Sequence, residues 1–147
     1  MGFPLKQPHR ARLIARLSHE PIRHVHMGAH EIDFDYDGEH IEDRVVVRPC
    51  VPMVGNWSRT SNTVFIDRKV PQKERTAVAV HEAVEKYAAQ AYGLDPFFDA
   101  HVVATGPEMR VAHSIGLNAA NYDMEMEGIF RANLRRHKGR LNYGFNR

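Results

Sequence analysis

His81 and Glu85 stand four residues apart in the run Val80-His-Glu-Ala-Val-Glu-Lys86, an HExxE pattern inside a segment that reads as one long helix. At that spacing both side chains lie on one helix face, where an imidazole and a carboxylate can grip the same divalent metal ion. Glu82, beside the first ligand, stands where zinc hydrolases keep a general base. Ten histidines and ten glutamates in 147 residues predict roughly 0.05 chance occurrences of this pattern, so it is uncommon without being decisive. A bare structural His/Glu hydrogen bond is the competing reading.

A wheel advancing 100° per residue places Ala77, Val80, Val84, Tyr87, Ala88 and Ala91 between roughly −120° and −20° of His81, the apolar stripe. Glu85 falls at about +40°, beside that stripe, and Glu82 at about +100°. Lys86 and Gln90 are expected on the exposed side. A carboxylate set among apolar neighbours is costly unless its charge is compensated, and a metal ion is one compensation. His101 supplies a third ligand from a following helix that can fold back across Gly93. His81, Glu85 and His101 then form a His₂Glu set that leaves a fourth position for water. The expected cofactor is zinc or another divalent transition metal. Gly106-Pro107 is expected to break or kink the second helix between His101 and Glu108. Glu108 is read as an outer partner of a ligand histidine, with direct ligation or exposure as alternatives. His113 either reaches the site in the same supporting role or is a polar residue at a helix end.

The elements that must position these groups follow from periodicity and turn signals. Arg10 to Leu17 suits a short helix limited by Pro21. Ile32, Phe34 and Tyr36 alternate with Asp33 and Asp35, as in a half-buried strand. Asp37-Gly38 is a turn signal, and Ile41 to Val47 supplies the returning strand. Pro49, Pro52 and Gly55 interrupt regular structure before a third strand, Thr63 to Asp67. Pro71 opens a helix lasting to about Tyr92 and stopped by Gly93. Asp95-Pro96 starts a second helix carrying Phe97, Ala100, Val103 and Ala104, and a third runs from Asn121 to about Arg136. The expected fold is α+β, a small antiparallel sheet from the first half packed on two or three helices.

At 147 residues the chain fits one domain, with a basic tail from about residue 137. Apolar residues make up 43% and charged residues 26%, an ordinary globular composition. The net charge of +2 gives no strong global field toward nucleic acid or membrane. Cys50 is the only cysteine, which excludes an intrachain disulfide and a cysteine-based zinc site. The absence of a signal-like or bilayer-length apolar run points to a cytoplasmic protein with no membrane partner.

The segments Asn62 to Asp67 (NTVFID), Val80 to Tyr87 (VHEAVEKY), Tyr92 to Leu94 (YGL), and Ala100-His101 with Ala104-Thr105 and Glu108 resemble small zincin-like HExxE proteins of prophages and bacterial genomes. The resemblance covers about residues 61 to 113. It implies a zincin-like metal site, a metalloprotease-type hydrolase acting on a peptide or protein, and, if phage-encoded, residence in host cytoplasm. It also implies that the 62 to 67 strand lines the site as an edge strand. The usual HExxH pattern carries a second histidine where this chain has Glu85. If the chain is an enzyme, Glu82 is the catalytic base. The alternative is a non-catalytic protein whose metal serves stability or binding, such as a nucleic-acid-associated phage accessory protein.

Three further clusters bear on function. His24, His26 and His30 share an extended segment and either form a second metal site or are histidines that face solvent or hydrogen-bond to neighbours. Asp33 to Gly38 matches the opening of an EF-hand loop, but its twelfth position is Arg44 instead of Glu, which favours an acidic hairpin. Arg131, Arg135, Arg136, Lys138, Arg140 and Arg147, with Tyr143 and Phe145, could contact nucleic acid or simply cap a helix. Trp57 is expected in the core.

Overall fold

The computed structural model describes residues 7–137. In chain order these form α1 (Gln7–His19), β1 (Ile22–Met27), β2 (Glu31–Tyr36), β3 (Glu39–Arg48), β4 (Gly55–Trp57), β5 (Thr63–Asp67), α2 (Arg75–Tyr92), α3 (Asp99–Ser114) and α4 (Ala119–His137). A single 3-10 turn, Gln72–Glu74, leads into α2. The fold is α+β. Among the described residues, no helix is long and apolar enough to cross a membrane.

The hairpin is built as its sequence dictates. Ile32, Phe34 and Tyr36 point inward and are buried, and Asp37 and Gly38 both take positive φ (55° and 73°), the geometry of a tight type I′ turn. The rest of the sheet differs from expectation. It has five strands in the order β1-β2-β3-β5-β4, and β3 pairs with β5 in parallel, so the sheet is mixed instead of antiparallel. From the end of β3 the chain crosses to the far edge, lays down β4, and returns through the 58–62 turn as β5 between them. Only a crossover of this kind makes strands parallel. Both β1 and β4 lie outside the expected hairpin and strand. In β1 a register shift between Arg23 and His26, with His24 at φ 55°, obscures the alternation.

Helix α2 packs on the sheet and α3 packs on α2. Every residue of α2 from Ala77 to Lys86 is consequently buried, a wider face than the wheel assigns. Ala91, expected inside, is exposed in the last turn. Lys86, expected in solvent, is 7% exposed; its Nζ donates to Asp43 Oδ1 at 3.2 Å and Asn62 Oδ1 at 2.9 Å. Strand alternation turns Asp43 inward on β3, and a buried ammonium is tolerable only with such partners. Gly93 ends α2 in the left-handed region at φ 68°.

Two expectations for α3 are corrected. Asp95-Pro96 does not begin the helix: Asp95 forms a turn, accepting from Phe97 N through Oδ1 and from Ala100 N through its carbonyl, and regular helix starts at Asp99. Gly106-Pro107 does not end it, for α3 runs through both residues to Ser114. Proline gives up one backbone bond, while the missing side chain at Gly106 admits α1: a Cβ there would lie 2.1 Å from the Ser18 carbonyl oxygen. Arg110, one turn on, donates to the carbonyls of Ser18 and Glu20. The pair thus marks a close helix crossing.

Candidate metal centre

The HExxE helix presents His81 and Glu85 toward α3, which runs back alongside α2 and brings His101 to meet them. His81 Nε2 lies 3.2 Å from Glu85 Oε2 and 3.1 Å from His101 Nδ1, and His101 Nδ1 lies 3.2 Å from Glu85 Oε2. The three atoms form a nearly equilateral triangle. Tetrahedral zinc with bonds of about 2.0–2.1 Å needs ligand atoms ~3.3 Å apart. Two imidazole nitrogens and one carboxylate oxygen are a donor set suited to zinc and neighbouring transition metals. The residues therefore fit such an ion.

The outer partners orient the set. Glu108 Oε1 lies 2.8 Å from His81 Nδ1 and accepts its N–H, so the ring offers Nε2 to the triangle whenever that nitrogen gives up its own proton to a metal. Because α3 is continuous, Glu108 lies two turns beyond His101 on the same face. The other Glu108 oxygen accepts from the Tyr122 hydroxyl of α4 at 2.6 Å. On the opposite side, the indole Nε1 of buried Trp57 donates to Glu85 Oε1 at 2.9 Å, leaving Oε2 to face the histidines.

The charges are set by burial and proximity. Burial works to lower the His81 pKa, but the Glu108 and Glu85 carboxylates reverse this and hold it well above the usual range. Burial pushes Glu85 up, yet its bonds from His101 and His81 bring it down to about 2. Glu108 is likewise lowered against burial by the His81 charge and hydrogen bond. Together the carboxylates call for a positive charge at the triangle, which a proton on His81 or a metal cation supplies. Glu82 is only 7% exposed and has no hydrogen-bond partner among the described residues. Its pKa is raised well above normal by burial and by the Glu85 charge.

The triangle opens into a cavity of about 410 Å³. Its wall corrects one expectation: β5 is an interior strand, and the residues lining the cavity from the sheet side are Met53, Val54 and Gly55, at the start of β4. Gly55 passes so close to Glu82 that a Cβ there would meet its Cγ and Oε2 at 2.9 Å. Bonds from Ser58 N to Thr63 O and from Asp67 N to Val54 O fix the strand phase. Gly55 therefore turns its backbone N–H and C=O to the free edge of the sheet. The opposite wall is α4, through Asp123, Met126, Glu127 and Phe130. That face is legible as i, i+3, i+4, i+7 spacing, although nothing in the sequence aims it here. Tyr122 carried no signal at all.

No family model, curated protein or solved structure matches this chain.

The other sequence candidates lie elsewhere. His113 is exposed near the end of α3 and does not line the cavity, because α3 turns that position to solvent. His24 pairs with Asp35 at 2.8 Å and His26 with Asp33 at 3.3 Å across the β1–β2 ladder, while His30 is exposed. The only cluster of potential ligands among the described residues is His81, Glu85 and His101. Asp33 and Asp35 belong to the hairpin, where strand geometry spreads them along the sheet instead of wrapping them around an ion. Arg131 pairs with Glu127, and Arg135 and Arg136 are exposed; Lys138, Arg140, Tyr143, Phe145 and Arg147 lie outside the described residues.

Proposed function

We propose that this chain is a zinc-dependent hydrolase of zincin-like arrangement acting on peptide bonds, with His81, Glu85 and His101 holding the metal and Glu82 as general base. The observation that carries the reading is the convergence of three ligand atoms at 3.1–3.2 Å beside an unpartnered, buried carboxylate. A structural zinc site is closed by four protein ligands, whereas this one has three and faces a cavity. When bound, zinc or a similar divalent ion would lower the pKa of a water molecule and polarise a carbonyl.

The chain's own residues perform the rest. Glu82, held in place by Gly55 on one side and its helix on the other, takes the proton of the attacking water and delivers it to the departing amine. Glu108 and Tyr122 keep His81 oriented, and Trp57 does the same for Glu85. The N–H and C=O that Gly55 turns away from β5, in the cavity wall, would pair with an extended peptide backbone laid along it.

Glu82→Gln separates catalysis from binding, since it removes the base while keeping shape and the metal ligands. Zinc content of wild type and variant, and cleavage of a broad peptide library, are the measurements. The variant should retain zinc and lose at least roughly a hundredfold in rate; His81→Ala should lose both. A fully active Glu82→Gln enzyme contradicts the assignment.

A further inference from the structure

Resting on the hydrolase reading, we infer that the cavity is built for polypeptide segments carrying a basic residue next to an apolar one, and that it rejects acidic segments. Its lining contains five carboxylates, Glu82, Glu85, Glu108, Asp123 and Glu127, and no lysine or arginine. A bound divalent ion and one proton would leave this wall negative. Three of these groups are already committed: Glu85 and Glu108 to the histidines, Glu127 to Arg131 at 3.0 Å. Asp123 and Glu82 have no ion-pair partner among the described residues. Glu82 is more than nine-tenths buried and lines the cavity, an unpartnered carboxyl group directed at whatever occupies it.

Apart from the two histidines and Thr105, the remainder of the lining is apolar and adaptable. Met53, Met109, Met126 and Phe130 supply it, and methionine side chains reshape to varied apolar groups at little cost. On α4 the two kinds of group alternate along one face: Asp123, Met126, Glu127, then Phe130 two turns on from the first. Such a stripe matches a segment in which a lysine or arginine lies beside a methionine, leucine or phenylalanine. The cation is received by Asp123 at the exposed end and the apolar side chain by Met126 and Phe130. An acidic segment would bring a further anion against an already negative wall, where low dielectric strengthens the repulsion.

The test uses three fluorescein-labelled peptides of equal length and identical apolar centre, flanked by Lys, Ser or Glu. Binding to the full zinc-loaded chain is followed by fluorescence polarisation and cleavage by mass spectrometry. The Lys peptide should bind roughly tenfold more tightly than the Glu peptide, with the preference shrinking as salt rises. Asp123→Lys should reduce or reverse the preference while circular dichroism and zinc content remain unchanged. Equal affinities, a preference unmoved by Asp123→Lys, or no binding by any peptide would overturn the inference. Selective binding with no cleavage of any peptide defeats the hydrolase reading and leaves the specificity standing. Cleavage without charge preference does the reverse.

Discussion

Gly106→Ala sets two effects of opposite sign against each other. Helix propensity alone favours the change, because alanine in a helix interior is better than glycine by about 1 kcal/mol. The crossing with α1 opposes it: the new Cβ would sit 2.1 Å from the Ser18 carbonyl oxygen, 3.0 Å from its carbon and 3.3 Å from its Cα. The obstacle is backbone, not a side-chain tip that can rotate away. Restoring an ordinary contact moves α1 and α3 apart by roughly 1 Å, loosens the packing around fully buried Leu17, and strains the bonds Arg110 makes to Ser18 and Glu20. Overpacking of this kind costs about 1–3 kcal/mol or more, so the net effect is destabilisation. Because His101 and Glu108 flank position 106 on α3, the same displacement should also weaken zinc binding. Gly128→Ala is the internal control. It lies in α4 with nothing within 4 Å of its built Cβ, and should gain up to about 1 kcal/mol from propensity alone. Urea denaturation of the two variants decides the matter. A Gly106→Ala protein as stable as Gly128→Ala would refute the close crossing and the role assigned to Gly106-Pro107.

Other outcomes follow from the same geometry. Trp57→Phe removes the indole donor from Glu85 while keeping an aromatic ring, and zinc affinity measured by chelator competition should fall about 10–100-fold; unchanged affinity would show that the 2.9 Å contact does not orient the ligand. Glu74, buried at 3% exposure, is raised to about 7 by burial and by its contact with Glu125 of α4. An acid whose folded pKa exceeds its unfolded value stabilises fully below about pH 4.5 and loses that contribution as pH rises through about 7. Wild-type stability should therefore decline between about pH 4.5 and 7 by on the order of 1–3 kcal/mol, and Glu74→Gln should flatten that decline in denaturation curves; identical pH profiles would contradict it.

The heart of the candidate site was legible because it depends on local rules. Four-residue spacing unites His81 with Glu85, and the left-handed stop at Gly93 turns the chain so that α3 returns past α2 with His101. The hairpin was legible for the same reason, since alternation and the Asp37-Gly38 turn act within a few residues. What escaped depends on distant partners. A wheel drawn for one helix cannot know that β3 turns Asp43 inward, so it sends Lys86 to solvent. Strand β4 spans only Gly55–Trp57, too short for a period, and its place at the sheet edge is set by a crossover that no local pattern encodes. Pro107 reads as a breaker until α1 is seen to need the space beside Gly106. Tyr122 reaches Glu108 only because α4 folds over the cavity.

Everything proposed for this site requires that His81, Glu85 and His101 together hold one metal ion. Zinc titration of the full chain in competition with a chromophoric chelator tests it most directly, with each residue replaced by alanine in turn. The wild-type chain should bind one zinc, and each of the three variants, His101→Ala included, should lose at least ~100-fold in affinity. Absence of stoichiometric binding, or wild-type affinity in His101→Ala, would contradict it.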